Sequence, residues 1–287
     1  MVKRNSIFGI INAFLLLLLA FTCLFPFINV LAVSLSENSA IVAGDVTFLP
    51  KGFELSAYGK IFQNESMIRS LFFTIFLTVG YVAIALFFSL LLAYPLSRKN
   101  LKGRGPIMLM VVFTMYFSAG MIPSYLLVQQ LGLLNTVWAL IIPVLIDSFQ
   151  LIIMKTSFES MPDSLVEAAI LDGCSHYGVL FRIMVPNSKP MIATIILFYA
   201  VGRWNNFQDA LYYINNSDLY PLQLKLNDLI ASATITLDIE VAASNNIVIP
   251  EALKSASLIF ATLPILIVYP WLQKYIVTGA MVGAVKG

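Results

Sequence analysis

Ile7–Val33, IFGIINAFLLLLLAFTCLFPFINVLAV, is 27 residues without a charge, centred on the run FLLLLLAFTCLFPF. A helix needs roughly 20 apolar residues to cross about 30 Å of hydrocarbon, so this segment is long enough to span a bilayer. Lys3 and Arg4 ahead of it and Ala32-Val33-Ser34 behind it resemble a cleaved leader. The run, however, far exceeds the usual apolar core of about 7–15 residues in such a leader, so it is expected to remain as a span. Further charge-free stretches follow between Arg69 and Arg98, Arg104 and Asp147, and Lys254 and Lys274. The second of these is long enough for two helices, and QQLGLLNT around Gly132 reads as the turn between them. With one more helix from about Pro190 to Tyr213, six spans are expected near 8–32, 70–95, 106–129, 136–156, 190–213 and 254–275.

Composition agrees. The 287 residues are 59% hydrophobic and 11% charged, with a mean hydropathy of +0.88. Soluble chains carry about 25% charged residues. A soluble enzyme, a disordered chain and a nucleic-acid binder are excluded, and an all-α integral membrane protein is expected. The net charge of +2 decides nothing alone. The two cysteines, Cys23 and Cys174, imply no disulfide framework, since the first lies inside an apolar run.

Basic loops stay cytoplasmic. If the N-terminus is inside, the inner segments hold Lys3, Arg4, Arg98, Lys99, Lys102, Arg104, Lys155, Arg182, Lys189, Lys274 and Lys286 against four acidic residues. The outer segments hold Lys51, Lys60, Arg69, Lys225 and Lys254 against ten. Both termini are therefore expected in the cytoplasm. Two outer loops, 33–69 and 214–253, are nearly forty residues each; the latter carries an alternating stretch Ile235–Val241 and turn signals at Asn215-Asn216-Ser217 and Asn245-Asn246. They read equally as solvated connectors or as docking surfaces for an external partner.

The inner segment KTSFESMPDSLVEAAILDGCSHYGVLFRIMVPNSK, 155–189, is too polar to span and too patterned to be slack. Ser160, Pro162 and Asp163 form a helix-start signal. Leu165, Ala168, Ala169 and Asp172 share a face by spacing, and the two alanines leave a flat spot where another backbone can approach. Asp172-Gly173 ends that helix through a left-handed cap. Ser175 can cap a second short helix, closed by Pro186.

EAAILDGCSHYGVLFRIMVP, 167–186, resembles the Glu-Ala-Ala, three residues, Gly, nine residues, Ile-x-Leu-Pro pattern of bacterial ATP-binding-cassette importer permeases. The matching positions are Glu167, Ala168, Ala169, Gly173, Ile183 and Pro186, with Asp172 inside the motif; Val185 stands where the family has Leu, and Cys174 where sugar permeases often have Ala. Trp204-Asn205-Asn206-Phe207 with Ala210-Leu211 and Pro221-Leu222, and the C-terminal Gly279–Gly287, resemble the carbohydrate branch, typified by maltose permeases. The resemblance implies a permease subunit in the bacterial cell membrane, importing an oligosaccharide. It implies a second permease, usually a different chain, two cytoplasmic ATPase subunits that bind ATP and Mg, and an extracytoplasmic solute-binding protein. The 157–188 loop would be the coupling element. The domains implied are 1–68, the first span and its outer loop; 69–275, the transmembrane domain proper; and 276–287, a cytoplasmic tail. The chain itself has no Gly-x4-Gly-Lys-Ser/Thr phosphate loop, so no cofactor or hydrolysis is expected on it.

Intramembrane charges are functional suspects. The spans expected above put Asp147 and Arg203 at nearly equal depth, about 16 and 15 Å in at 1.5 Å per residue. They read either as a buried ion pair locking two helices, the preferred reading, or as a polar pathway lining. In the second case Gln150, Asn205, Asn206 and Gln208 would offer hydrogen bonds to sugar hydroxyls, and Trp204 an apolar face. A proton-coupled secondary transporter using Asp147 is the rival function. His176, the sole histidine, lies in the inner loop, and the buried Ser/His or His/carboxylate sets of intramembrane proteases are missing; no catalytic or metal-binding residue is expected.

Overall fold

The computed structural model describes residues 7–236 and 250–284. Lys3, Arg4, most of the Ile235–Val241 alternation, the Asn245-Asn246 turn and Val285–Gly287 of the C-terminal stretch lie outside the described residues. The described elements are helical throughout and include no strand; Ser36 and Phe53 meet in an isolated bridge. In order they are α1 (Ile7–Ser34), α2 (Asn38–Val42), α3 (Ser56–Gln63), α4 (Glu65–Ser97), α5 (Arg104–Tyr116), α6 (Met121–Gln130), α7 (Ser148–Glu159), α8 (Asp163–Leu171), α9 (His176–Val179), α10 (Val185–Asn187), α11 (Lys189–Asn205), α12 (Gln208–Tyr213), α13 (Leu222–Thr236) and α14 (Pro250–Ala284).

Three stretches are unbroken and apolar enough to cross a membrane: Phe8–Ser34, Glu65–Ser97 and Pro250–Pro270. No residue in the most apolar window of α1 is buried, although its mean hydropathy is 2.5. A helix apolar all round and exposed all round has only lipid as a compatible solvent.

The expected spans 106–129, 136–156 and 190–213 are each broken rather than continuous. α5 and α6 meet at 120° and the 137–144 segment and α7 at 53°, the third breaks at Asn206-Phe207 between α11 and α12, and the 176–187 segment ahead of it meets α11 at 88°. The breaks have local causes. Phe117 is extended and Gly120 has φ +86°, open to glycine without strain. Pro143 sits in short 3-10 turns (Val137–Leu140, Ile142–Val144) ahead of Asp147. Pro190 opens α11 after Ser188, which is not helical. Gly132, with φ +67°, makes the expected turn after α6.

The chain divides into two compact units, 1–69 with 225–264, and 70–224 with 265–287. In the first, Ala32, Ala40 and Val46 form a small core, and the Asn29 amide donates to the Thr47 carbonyl (2.8 Å), pinning the loop after α2 to α1. The second is organised on α4. Leu77, Tyr81, Ala85, Ser89 and Ala93 recur every fourth residue and are all buried, so one ridge of the helix faces the core. Tyr199 of α11 packs edge-on against Tyr81 at 5.7 Å and shares a hydrogen bond with Ser89 (2.7 Å). Polar pairs of this kind hold helices together where apolar burial gives no preference over lipid.

Arg203 does not pair with Asp147. Its guanidinium, 3% exposed, forms a two-pronged pair with Asp209 (Nη2 to Oδ1 2.9 Å, Nη1 to Oδ2) and donates to the carbonyls of Leu140 (2.9 Å) and Asn206 (3.1 Å). Asp147 instead caps α7, accepting the Gln150 backbone N–H at 2.8 Å. The depth argument assumed continuous α-helix. The 3-10 turns before Asp147 rise about 2.0 Å per residue, and the chain bends there. Asp209, counted among outer charges in the sequence, comes back beneath Arg203 because the helix breaks at Asn206-Phe207 between them.

Removing one partner of a buried ion pair costs about 3–5 kcal/mol, and removing a helix cap about 1 kcal/mol. Asp209→Asn is therefore expected to lower the thermal stability of the purified chain far more than Asp147→Asn. The double change Arg203→Gln with Asp209→Asn is expected to be milder than Asp209→Asn alone. Melting curves of the three variants in one detergent check this; equal losses for Asp209→Asn and Asp147→Asn contradict it.

Candidate functional site

The 155–189 segment folds as α7, a sharp corner, α8, a second corner and α9, before the chain climbs into α11. α8 starts at Asp163, with Pro162 in extended conformation just ahead of it. Ser160 is not its cap; it ends α7, and its hydroxyl donates to the Ser157 carbonyl (2.8 Å). Prolines suit a first turn because its N–H groups have no intrahelical acceptor.

The end of α8 follows the glycine signal closely. The Cys174 N–H donates to the Ala169 carbonyl (2.9 Å) and the Gly173 N–H to Ile170 (3.0 Å), while Gly173 has φ +82°. These crossed bonds are the Schellman arrangement, in which the left-handed residue satisfies carbonyls the helix cannot. Ser175 then caps α9, its Oγ accepting from the Gly178 N–H at 3.2 Å. Pro186 does not close this helix. A wide π turn over Leu180–Met184 precedes it and lets the helical path continue through Asn187. Such a turn makes room for the missing N–H and the bulky ring of proline.

α8 presents a different face from the one its spacing suggests. Val166 and Ala169 are buried, at 6% and 8% exposure, whereas Ala168, Leu165 and Asp172 are exposed. The two alanines therefore do not form one outward flat spot: Ala169 packs into the chain's own core with Val179, Leu180 and Met184. Glu167 is exposed, and so are Ile170, Tyr177 and above all Leu171, at 87%. Ile183 and Pro186 lie on the return path, half-buried and exposed respectively.

The loop is braced from α4 by residues the sequence reading used only as charges or overlooked. Arg98 donates to the Phe158 carbonyl (3.3 Å), pairs with Asp163 (3.3 Å) and stacks its guanidinium 5.4 Å from the Tyr94 ring centre. Tyr94 also shares a hydrogen bond with His176 Nδ1 (3.4 Å). The contacts to Phe158 and Asp163 span 60 and 65 positions along the chain, and no local spacing signals them.

Of the expected pathway residues, Asp147, Gln150, Arg203 and Asn206 do come together. They line a cavity of about 910 Å³ between α4, α5, α7 and α11, with Tyr81 and Tyr199 as its aromatic wall. Gln150 Oε1 and Arg203 Nε are buried there without a partner. Trp204 is buried away from this lining, and Asn205 and Gln208 are exposed and outside it.

Residues 66–281 match the family described as the binding-protein-dependent transport system inner membrane component. The polygalacturonan/rhamnogalacturonan transport system permease protein YtcP of Bacillus subtilis (strain 168) is 42% identical over 285 residues, covering 99% of this chain and 100% of that protein. The arabinooligosaccharides transport system permease protein AraQ of Halalkalibacterium halodurans is 27% identical, covering 94% of this chain and 93% of that one. A crystal structure of a bacterial ABC transporter involved in import of the acidic polysaccharide alginate contains a chain 34% identical, with a TM-score of 0.85 over 96% of this chain and 99% of that one. With its long lipid-facing helices and its Glu167–Pro186 motif, the chain belongs to the inner-membrane permease components of binding-protein-dependent transport systems.

Proposed function

We propose that this chain is one permease of a pair in an ATP-driven carbohydrate importer, and that α8 and its Gly173 turn dock on a cytoplasmic ATPase. The observation that carries the reading is the two-sidedness of α8. Val166 and Ala169 anchor it to its own subunit, while Glu167, Ala168, Ile170 and Leu171 stand exposed beside a rigid turn. A short exposed helix clamped on its inner side passes a push on its outer face to α9 and the 180–184 turn, and through that core to the rest of its subunit. ATP and Mg belong to the ATPase partner and the substrate is presented by a solute-binding protein. The carbohydrate class rests on the polysaccharide and oligosaccharide systems for which the relatives are named.

In this reading the six spans are Phe8–Ser34, α4, the bent pair α5–α6, the bent 137–159 segment, α11 and α14, the 176–187 segment stays in the coupling loop, and both termini are cytoplasmic. The 1–68 segment holds the first span and its outer loop, 69–275 the transmembrane domain, and 276–287 the cytoplasmic tail. Asp147, Gln150, Arg203 and Asn206 line this subunit's share of the pathway, with Trp204, Asn205 and Gln208 supporting that helix end. A proton-coupled carrier is disfavoured because Asp147 is engaged as the cap of α7.

Two outcomes are expected. Glu167→Lys, Ala168→Trp and Gly173→Val are to reach the membrane at normal levels but lose sugar uptake and ATPase retention; at Gly173 a Cβ in a left-handed turn costs about 1–2 kcal/mol. Uptake and ATPase co-purification measured together check this, and normal transport with the ATPase attached in all three refutes the docking role. Ala169→Trp is to behave differently, lowering the amount of folded chain. For topology, in a chain with Cys23 and Cys174 replaced by serine, a cysteine at Asn245 should react with an impermeant thiol reagent from outside and one at Asn100 should not. The reverse pattern inverts the topology.

A further inference from the structure

The turn between α4 and α5 lies at a membrane face whichever way the chain is inserted. A charge-free run of helix ends at Arg98, and the next begins after Arg104. Against this turn lies a cavity of about 520 Å³, separate from the pathway cavity, lined by Lys99, Gly103, Arg104, Gly105, Met108 and Lys155 among others. Its charge is unbalanced. Arg104 and Lys155 share one carboxylate, Glu159, and among the described residues Lys99 has no acidic partner. Three cations thus face one anion. Gly103 and Gly105 leave its wall open, since a Cβ on either would meet no atom within 4 Å. From the cavity α5 runs on with none of its residues buried, offering an apolar flank.

We propose that this cavity holds the phosphate of an anionic lipid headgroup, with Lys99 as its free cation, Arg104 and Lys155 completing the charge, and an acyl chain along α5. Phosphodiester chemistry suits it: a single negative charge with several acceptor oxygens lowers the excess of two positive charges left beside Glu159 to one and meets more than one cation at once. Basic pockets beside spans at a membrane face bind anionic headgroups, and each basic side chain near such a surface changes binding about fivefold. A free phosphate ion would meet the same cations but would gain nothing from α5. The proposal depends only on the turn lying at the membrane face, not on the importer reading.

The test is native mass spectrometry of the full chain, purified with whatever subunits accompany it, from vesicles of equal parts phosphatidylglycerol and phosphatidylcholine. Wild type is expected to retain phosphatidylglycerol preferentially. Lys99→Gln should cut that retention about fivefold, Lys99→Arg should restore it, and Lys60→Gln, far along the sequence in another unit, should leave it unchanged. Equal retention of the two lipids by wild type, or no effect of Lys99→Gln, overturns the proposal. So does displacement of the lipid by millimolar inorganic phosphate, which assigns the cavity to a soluble ion. Because the readout is bound lipid, it stands even if transport proves unrelated to ATP.

Discussion

Arg203 holds together the part of the fold that hydropathy alone would leave unexplained. In hydrocarbon every backbone group must find a partner within the protein, so a span can break only where side chains or neighbouring segments take over the lost bonds. The second unit contains such breaks in α5–α6, in the 137–159 region and between α11 and α12. The Arg203 guanidinium serves two of them together: it donates to the Leu140 carbonyl of one broken segment and the Asn206 carbonyl of the other. Asp209 neutralises it and also accepts from the Ala210 N–H (2.8 Å). A charge costly anywhere in a membrane becomes the fastener between segments that can no longer be continuous helices. The 910 Å³ cavity lies at these breaks, with Asp147, Gln150 and Asn206 at or beside them.

Much of this was legible in the sequence, and the parts that were not share a cause. Ile7–Val33 announced a lipid-exposed helix because uniform apolarity has one compatible solvent. Gly132, Gly173 and Ser175 were readable because left-handed turns and caps are local chemistry. The bends were not, because a charge-free run such as 105–146 records compatibility with lipid and says nothing about direction within it. Asp209 was not singled out beside Arg203 for that reason: its partner is six residues back, across a break that hydropathy does not record. Ala169 shows another boundary. In a helix of nine residues, spacing alone fits more than one face, and the choice is made by packing against Val179 and Met184, which are remote in the pattern though close in the chain.

The Glu167–Pro186 segment was the one place where sequence alone reached toward function, and the structure gives several of its residues a local reason. The glycine is there for its left-handed turn, and Ala169 for close packing on the subunit's own core. Glu167 and Ala168 are left for whatever meets the outer face. Arg98 and Tyr94 brace the loop against α4, so the exposed turn is a rigid projection on a packed base. Leu171 stands exposed while Val166 and Ala169 of the same helix pack in one core with Val179 and Met184, which is the arrangement the proposed docking role calls for.

The most direct test of that account is a photo-crosslinker placed singly on the two sides of α8. At Leu171, exposed on the outer face, it is predicted to capture the ATPase subunit in intact membranes. At Val166, buried one turn earlier, it is predicted to yield only products within the chain. Capture of the ATPase from another cytoplasmic segment with none from Leu171 would contradict the assignment of α8 as the docking helix.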